Sequence, residues 1–194
     1  MIDDCTAIIL AGGESRRMGS DKAGLVLNGQ TLLQKVGATM QSIFPKTIVS
    51  VRQRRNDIAL PQVCDDAADS GPLAGVAAGL RQVDTPWTFV VACDMPFIAP
   101  KVIELLAQLR GNHQAVVPQW QGQAQPLAAF YARDCSEIAQ QVLSGKGRHS
   151  MLALLERLDV RYVDEAQLSV ADPLLRSFFD LDTPQDVAAT HGMK

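Results

Sequence analysis

The sequence predicts an α/β fold: a single domain over residues 1–194 with a mainly parallel, doubly wound (Rossmann-like) sheet and helices on both faces. Three observations support this prediction. Short apolar runs alternate with amphipathic helical segments, as in successive βαβ units. The runs at residues 6–10 and 87–92 are uncharged and mostly apolar, as in strands buried on both faces. Glycines and carboxylates follow these runs, where open α/β sheets bind ligands.

The predicted strands are short runs rich in β-branched and aliphatic residues. They cover residues 6–10, 47–51, 63–66, 87–92, 115–118, 127–131, 160–163 and 178–182. The run at 87–92 is the most apolar, so we expect it near the centre of the sheet. The stretch 119–126 is uncharged, polar and rich in turn residues, and it is predicted as an exposed loop.

Helices are predicted at residues 30–44, 71–82, 101–110, 135–143 and 150–158, with a closing helix from Thr183. In the first helix Leu32, Val36 and Met40 recur at helical spacing, after a tight Asn-Gly turn. Pro72 suits the first turn of the second helix, where its missing N–H costs nothing.

Composition excludes several classes of protein. A net charge of −3 argues against a broad nucleic-acid-binding face. The 4 cysteines form no C-x-x-C pair and the 3 histidines are scattered, which argues against a structural zinc site. We see neither a secretory segment nor an apolar run long enough to span a membrane. We therefore expect a cytoplasmic protein with reduced thiols, and a monomer is compatible with the sequence.

The strongest functional signal follows the first strand. Residues 10–22 are Leu-Ala-Gly-Gly-Glu-Ser-Arg-Arg-Met-Gly-Ser-Asp-Lys. Gly12 and Gly13 allow backbone angles closed to other residues, and successive N–H groups in such a turn bind anions. Positive charge is added by Arg16, Arg17 and Lys22. This pattern predicts a phosphate-binding loop; the alternative is a solvated basic turn.

The spacing of the glycines excludes two better-known phosphate loops. A P-loop requires G-x-x-x-x-G-K-[ST], but Gly13 and Gly19 are six residues apart and are not followed directly by a lysine. The dinucleotide fingerprint G-x-G-x-x-G is absent because Gly12 and Gly13 are adjacent.

A second signal, Cys93-Asp94-Met95-Pro96, follows the most apolar strand. A carboxylate just beyond the carboxyl end of a central parallel strand lies where such sheets bind ligands. Buried aspartates are rare unless they are paired or bind a metal. The alternative for Asp94 is that it caps the next helix.

Residues 10–22 closely resemble the L-A-G-G-x-S-x-R-M-G-x-D-K motif of nucleotidyltransferases and are most similar to the molybdenum cofactor guanylyltransferases. Three later matches extend the resemblance. The first is D…G-P-L-A-G, in which Asp66 matches by position and Asp65 and Asp69 are nearby alternatives. The others are C-D-x-P at Asp94 and N-x-N-T-P-E/D near the end, where Asp180 and Asp182 replace the usual asparagines. The resemblance implies transfer of GMP from GTP to molybdopterin with release of pyrophosphate. Its implied partners are the molybdenum-inserting enzyme and molybdoenzymes with their chaperones.

The resemblance also implies a set of site residues. The catalytic set is Lys22, Arg16 and Asp94, with Mg²⁺ bound by Asp94. The nucleotide-binding set is Leu10, Ala11, Gly12, Gly13, Lys22, Ser50, Asp66 and Asp94. The Ala-Gly-Gly form goes with guanylyl transfer in the family, and the missing β-carbon of Gly12 would leave room for a purine.

Several other segments allow two interpretations. The arginines of residues 52–55 follow a strand beside the predicted phosphate site, but such charge runs are usually solvated loops. Residues 125–127 resemble a family loop on the pterin side, with glutamine in place of histidine. Residues 145–149 place two cations and a histidine just before a helix N-terminus. This segment either contacts a phosphate or the pterin, or is an ordinary turn between two helices. Asp182 could strengthen a metal site opposite Asp94 or simply be solvated.

Alternative functions also remain. One is a related nucleotidyltransferase that uses CTP and molybdopterin, or a phosphorylated sugar or acid as acceptor. Another is a nucleotide-binding regulator without turnover, which the presence of both Lys22 and Asp94 disfavours.

Overall fold

The structure of the chain, a computed structural model, describes residues 1–12, 22–65, 71–181 and 186. Its strands are β1 (Cys5–Leu10), β2 (Val26–Leu27), β3 (Gln30–Thr31), β4 (Lys46–Val51), β5 (Gln62–Cys64), β6 (Trp87–Ala92), β7 (Ala115–Trp120), β8 (Gln123–Ala124), β9 (Ala128–Ala132) and β10 (Val160–Val163). Its α-helices are α1 (Leu32–Ile43), α2 (Gly71–Gln82), α3 (Pro100–Gln108), α4 (Cys135–Ser144), α5 (Met151–Leu155) and α6 (Glu165–Ala171). Two 3₁₀-helices cover Lys22–Gly24 and Arg176–Phe178.

Most of the described strands form one large mixed sheet in the order β10-β7-β9-β6-β1-β4-β5, with β8 paired to β7, while β2 and β3 form a separate two-stranded hairpin. Neighbours β6, β1, β4 and β5 are parallel to one another, as are β7 and β10. Only β8 and β9 pair with their neighbours in the antiparallel sense within this sheet. The predicted α/β class with a mainly parallel sheet is therefore confirmed.

Helices cover both faces of the sheet. One apolar cluster packs α1, α3 and α6 against side chains such as Ala7 and Ile9. The other packs α2, α4 and α5 against the opposite face, where Ile8 points. Successive residues of β1 thus enter opposite layers, as a strand buried on both faces requires. Among the described residues, no helix is long and apolar enough to cross a membrane.

Local sequence chemistry sets where α1 begins. The predicted Asn-Gly turn is present, with Asn28 at φ 53° and Gly29 at φ 80°, and it joins β2 to β3. The helix starts two residues later than predicted because Thr31 caps it: its Oγ1 accepts from the N–H of Gln34 at 3.1 Å, and Gln34 Oε1 accepts from the Thr31 N–H at 2.9 Å. This reciprocal pair satisfies two helix-end donors.

Helix α2 lies unusually close to the sheet because two of its contact positions are glycines. A β-carbon at Gly79 would lie 2.5 Å from Ile8 Cδ1, and one at Gly75 would lie 2.8 Å from Ser50 Oγ. A side chain at either position would push the helix outward. The glycines therefore hold the start of α2 against the carboxyl ends of β1 and β4.

Two predicted segments were wrong. Strand β7 continues to Trp120 and turns at Gln121 and Gly122, both with positive φ, into β8, so 119–126 is a hairpin rather than an exposed loop. No strand forms over 178–181, the described part of the predicted 178–182 strand. There the chain leaves a 3₁₀-helix, and Leu181 is buried in a small cluster with Leu27 and Leu32. Leu181 thus packs on the β2–β3 hairpin and α1, and the ring of Phe178 stacks on Trp120 of β7, so these residues add to the core without pairing with the sheet.

Helix α6 was not predicted. Its start is nevertheless encoded locally, because Asp164 Oδ1 accepts from the N–H of Gln167 at 2.9 Å and caps the first turn. The helix is short and Leu168 is its one fully buried residue, so it gives almost no periodic signal.

The amino ends of β1 and β6 are fastened by aromatic and ionic contacts. Arg110 forms an ion pair with Asp4 at 3.0 Å, and its guanidinium lies 5.3 Å from the ring of Trp87 and 5.4 Å from that of Phe130. Burial raises the pKa of the nearby Cys5 thiol to about 12, so this thiol stays neutral. None of the cysteines, all of which are described, forms a disulfide.

We predict that Phe89→Ala destabilises the fold by roughly 3–5 kcal/mol, the usual loss for a truncated buried phenylalanine. Phe89 is fully buried, 4.8 Å from the Phe130 ring and 5.6 Å from the Phe44 ring between centroids. Urea unfolding monitored by circular dichroism measures the change. Val170→Ala is the control, because that side chain is 83% exposed and should change stability by less than about 0.5 kcal/mol. A loss below about 1 kcal/mol for Phe89→Ala would contradict this description of the core.

Candidate active site

The carboxyl ends of the three central strands lie level with one another. Leu10 of β1 pairs with Ser50 of β4 on one side and with Ala92 of β6 on the other. The ladder extends past the strands: the N–H of Ala11 donates to Ser50 O at 2.9 Å, and that of Cys93 donates to Leu10 O at 3.0 Å. The loops after these strands therefore leave the sheet from one row of residues.

Three residues whose chemistry suits ligand binding lie shortly after this row. Two positions beyond it the chain carries Gly12 after β1, Arg52 after β4 and Asp94 after β6. Because β1 lies between β4 and β6, Gly12 has the arginine on one side and the aspartate on the other. A cation, a glycine with an accessible backbone and a carboxylate thus share one edge of the sheet.

Gly12 makes a close approach to the neighbouring chain. A β-carbon at this position would lie 3.3 Å from Arg52 N and 3.5 Å from Arg52 Cγ. The space left by the missing side chain is therefore occupied by Arg52 on that side, and the predicted room for a purine is not found in that direction. Any larger residue at position 12 would press on the backbone at the end of β4.

Asp94 is partly buried, and its main chain is held in place. Its carbonyl oxygen accepts from the N–H of Leu181 at 2.9 Å. The next helix, α3, has Ala99 as its N-cap, with no side-chain capping bond. The alternative role of Asp94 as the cap of that helix is therefore excluded, and its carboxylate belongs to the loop at the sheet edge.

The order of the strands marks this edge as a ligand site. From β1 the chain moves to β4 and β5 on one side of the sheet, and then returns to β6 on the other side of β1. Such a reversal opens a crevice outside the carboxyl ends of the strands, where open α/β sheets bind ligands. The crevice between β1 and β6 is bordered by Gly12 and Asp94.

The described members of the predicted nucleotide set lie together at this edge: Leu10, Ala11, Gly12, Ser50 and Asp94. Ser50 is 2% exposed and lies beneath α2. Gly13, Arg16, Arg17, Asp66 and Asp182 lie outside the described residues. The backbone of Lys22 begins a 3₁₀-helix, and its side chain is likewise outside what the structure describes. The roles of these residues stay predictions.

The opposite side of β6 is bordered by the segment before β9. The N–H of Ala92 donates to Leu127 O at 3.0 Å, so β9 begins level with the end of β6. The main chain of Pro126 is held in place by β9, because its carbonyl oxygen accepts a hydrogen bond from the Tyr131 hydroxyl at 2.8 Å. Burial raises the pKa of Tyr131, which keeps this donor protonated. The partly buried residues 125–127 thus form a second wall of the same edge.

The loop at residues 145–149 also reaches this end of the molecule. Helix α4 starts at the opposite edge, where Cys135 Sγ donates to Gln114 O at 3.2 Å just before β7 begins. It therefore ends toward the carboxyl edge. The loop is exposed and is closed by a 2.9 Å contact between His149 Nε2 and Gly145 O.

The loop that carries Asp94 is fastened by a buried serine that sequence reasoning missed. Ser177 Oγ donates to Asp172 Oδ2 at 2.8 Å and accepts from the N–H of Ala99 at 3.0 Å. The N–H of Ser177 donates to the same carboxylate oxygen at 2.8 Å. This contact joins positions 78 residues apart in the chain, and neither periodicity nor a motif signals it.

Comparison with known proteins agrees with this geometry. Residues 7–162 match the family model of the MobA-like NTP transferase domain. A probable molybdenum cofactor guanylyltransferase of Methanosarcina mazei is 32% identical over 94% of this chain and 88% of its own. The molybdenum cofactor guanylyltransferase of Desulfosudis oleivorans is 33% identical over 96% of this chain and 94% of its own.

A solved structure resembles the whole chain. It is the crystal structure of molybdopterin-guanine dinucleotide biosynthesis protein A from Archaeoglobus fulgidus. The two structures align with a TM-score of 0.84 and 28% sequence identity over 97% of each chain. The strand order and the crevice described above therefore belong to a fold that this similar protein shares.

We predict that Ser177→Ala destabilises the protein by about 1–3 kcal/mol, because the N–H of Ala99 and the carboxylate of Asp172 each lose a buried partner. Hydrogen exchange of the Ala99 amide should become faster, because its N–H loses the Ser177 hydroxyl as acceptor. Ser169→Ala is the matched control, since the Ser169 hydroxyl makes only an exposed bond within its own helix. Equal stability of the two variants, with unchanged exchange at Ala99, would show that Ser177 does not hold this loop.

Proposed function

The chain belongs to the molybdenum cofactor guanylyltransferase family of MobA-like NTP transferase domains, and on that basis we propose that it transfers GMP from GTP to the terminal phosphate of molybdopterin. The products are molybdopterin guanine dinucleotide and pyrophosphate. As a family member, the chain is a nucleotidyltransferase of molybdenum cofactor biosynthesis. The use of GTP and the residues that act are our proposal.

The observation that supports this proposal most directly is the crevice between β1 and β6. Partly buried Gly12 borders it with its backbone and Asp94 with a carboxylate, at the point where the strand order reverses. We propose that the triphosphate of GTP crosses the ends of these two strands. The nucleoside would then extend over β4 and β5, toward Ser50 and Asp66, both predicted to bind the nucleotide.

The donor set of the crevice suits a magnesium ion. Mg²⁺ prefers oxygen ligands and is commonly held by one or two carboxylates together with substrate phosphates. Asp94 supplies such a carboxylate beside the proposed triphosphate. No cluster of three or more metal-ligating side chains occurs among the described residues, so the phosphates would complete the ligand set. When bound there, Mg²⁺ neutralises negative charge on the phosphate oxygens.

The protein's own contribution is positioning and electrostatic stabilisation. An oxygen of the molybdopterin phosphate attacks the α-phosphorus of GTP, and the bond from that phosphorus to the bridging oxygen of pyrophosphate breaks. A phosphate monoester is largely ionised at neutral pH, since its second pKa is about 6, so the attack requires no general base. We propose that Lys22 and Arg16 stabilise the charge of the crowded phosphates, while the backbone at residues 12 and 13 orients them.

We propose that molybdopterin approaches from the other side of β6. Residues 125–127 lie there, and the exposed cationic loop at 145–149 reaches the same edge. The acceptor carries a phosphate, which suits the positive charges of Lys146 and Arg148. We further propose that the chain functions as one domain in the cytoplasm. It would receive the pterin from, or pass it to, the molybdenum-inserting enzyme and molybdoenzyme chaperones.

Pyrophosphate release from the purified full chain tests the function. We expect release with GTP and Mg²⁺ only when molybdopterin is added, together with formation of the guanine dinucleotide detected by mass spectrometry. CTP, or a sugar phosphate in place of molybdopterin, should give little product. Equal turnover of CTP would overturn the guanylyltransferase assignment, and binding of GTP without product under all of these conditions would favour the regulator.

We predict that Asp94→Asn lowers the rate of guanylyl transfer by about 10²–10³-fold, the usual effect of removing one preorganised charged contact. The variant should also need more Mg²⁺ for half-maximal activity. Asp84→Asn is the matched control: its carboxylate pairs with Lys46 at 2.9 Å at the amino end of β4, on the opposite edge of the sheet. Full activity of Asp94→Asn at ordinary Mg²⁺ concentrations would remove Asp94 from the metal site.

A further inference from the structure

The arginines of residues 52–55 fall into distinct environments. Arg55 is used within its own loop: its Nε and Nη2 donate to the two carboxylate oxygens of Asp57 at 3.1 and 2.6 Å. Gln62 then fixes the same turn, accepting from the N–H of Arg55 at 2.8 Å and donating to Arg55 O at 2.7 Å. The guanidinium of Arg55 therefore serves the loop rather than a ligand.

Arg52 is placed quite differently. It follows Val51, whose carbonyl oxygen accepts from the N–H of Asp65 at 3.2 Å, so the end of β4 is tied to the end of β5. On its other side, Arg52 N and Cγ face Gly12, at 3.3 and 3.5 Å from the position of a β-carbon there. The stem of the side chain thus starts against Gly12, at the end of β4 between β1 and β5.

The guanidinium of Arg52 also differs from that of Arg55 in its contacts. The side chain is exposed, and within the described ranges its guanidinium forms neither an ion pair nor a hydrogen bond. Arginine remains charged at any physiological pH and presents five donors in a planar fork. Arg54 is equally exposed but has no such position beside Gly12, so the two arginines differ chiefly in their distance from the crevice.

We propose that Arg52 reads the guanine base of the bound nucleotide, an inference that rests on the proposed function. The strand order puts Arg52 on the opposite side of Gly12 from Asp94, hence on the nucleoside side rather than the metal side. Guanine presents two adjacent acceptors, O6 and N7, that match the arginine fork in a bidentate contact. Adenine offers a donor in place of O6, and a bidentate arginine contact with it is lost.

The test compares nucleotide binding by the full-length wild type, Arg52→Ala, Arg52→Lys and Arg54→Ala. Calorimetry gives the Kd of each for GTP and ATP with Mg²⁺. Arg52→Ala should raise the Kd for GTP by about tenfold, the effect expected for one bidentate arginine–guanine contact, and change that for ATP less than twofold. Arg52→Lys should lose much of the preference for GTP, because an ammonium cannot form the fork. Arg54→Ala should bind like the wild type.

Two results would overturn the role of Arg52. One is a Kd for GTP that Arg52→Ala leaves within twofold of the wild type, which would mean that the side chain does not touch the nucleotide. The other is an equal loss for GTP and ATP, which would assign the contact to the phosphates. Failure of the proposed function is distinguishable, because it appears as missing product in the wild-type turnover assay, whereas failure of the role of Arg52 leaves wild-type GTP binding and turnover intact. Because Arg52 is exposed, thermal unfolding of the variant should match the wild type and exclude misfolding as the cause.

Discussion

The level register of β6, β1 and β4 is the constraint on which the rest of the site depends. Leu10 faces Ser50 and Ala92 across two parallel ladders, and one further main-chain hydrogen bond on each side carries the alignment into the loops. Residues that are far apart in sequence are thereby brought to one edge without any direct contact between their side chains. A shift of register by one residue would turn every side chain of β1 to the opposite face and would remove Ile8 from its close fit against Gly79 of α2.

The two edges of the sheet have different physical characters. At the amino edge, Arg110 lies between two aromatic rings and an ion pair, and the neighbouring Cys5 thiol and Phe130 ring are fully buried. At the carboxyl edge, backbone groups and charged side chains lie close to solvent. The buried residues Ser177 and Leu181 hydrogen-bond to the main chain of Ala99 and Asp94 and so fix the loop after β6. The binding groups at the carboxyl edge are thus carried by short loops on a packed sheet.

The sequence predicted most of this framework because its signals are local. The uncharged runs at 6–10 and 87–92 became adjacent central strands, and Asp94 lies at the end of the second, as its position after an apolar run implied. The 119–126 hairpin and Ser177 could not be predicted in this way: the first depends on a turn with two positive φ values, the second on a contact between distant segments. The arginine run was ambiguous for the same reason, since only the fold separates Arg52, beside Gly12, from Arg55, which is bound to Asp57.

We propose that one crevice, over the ends of β6, β1 and β4, holds the nucleotide in a single direction. A crystal structure of the full chain with GTP and Mg²⁺ tests it most directly. We expect the triphosphate across the ends of β1 and β6, next to Gly12 and Asp94, with the base over β4 and β5. A triphosphate over β4 and β5 with the base toward β9, or a nucleotide bound away from this edge, would contradict it.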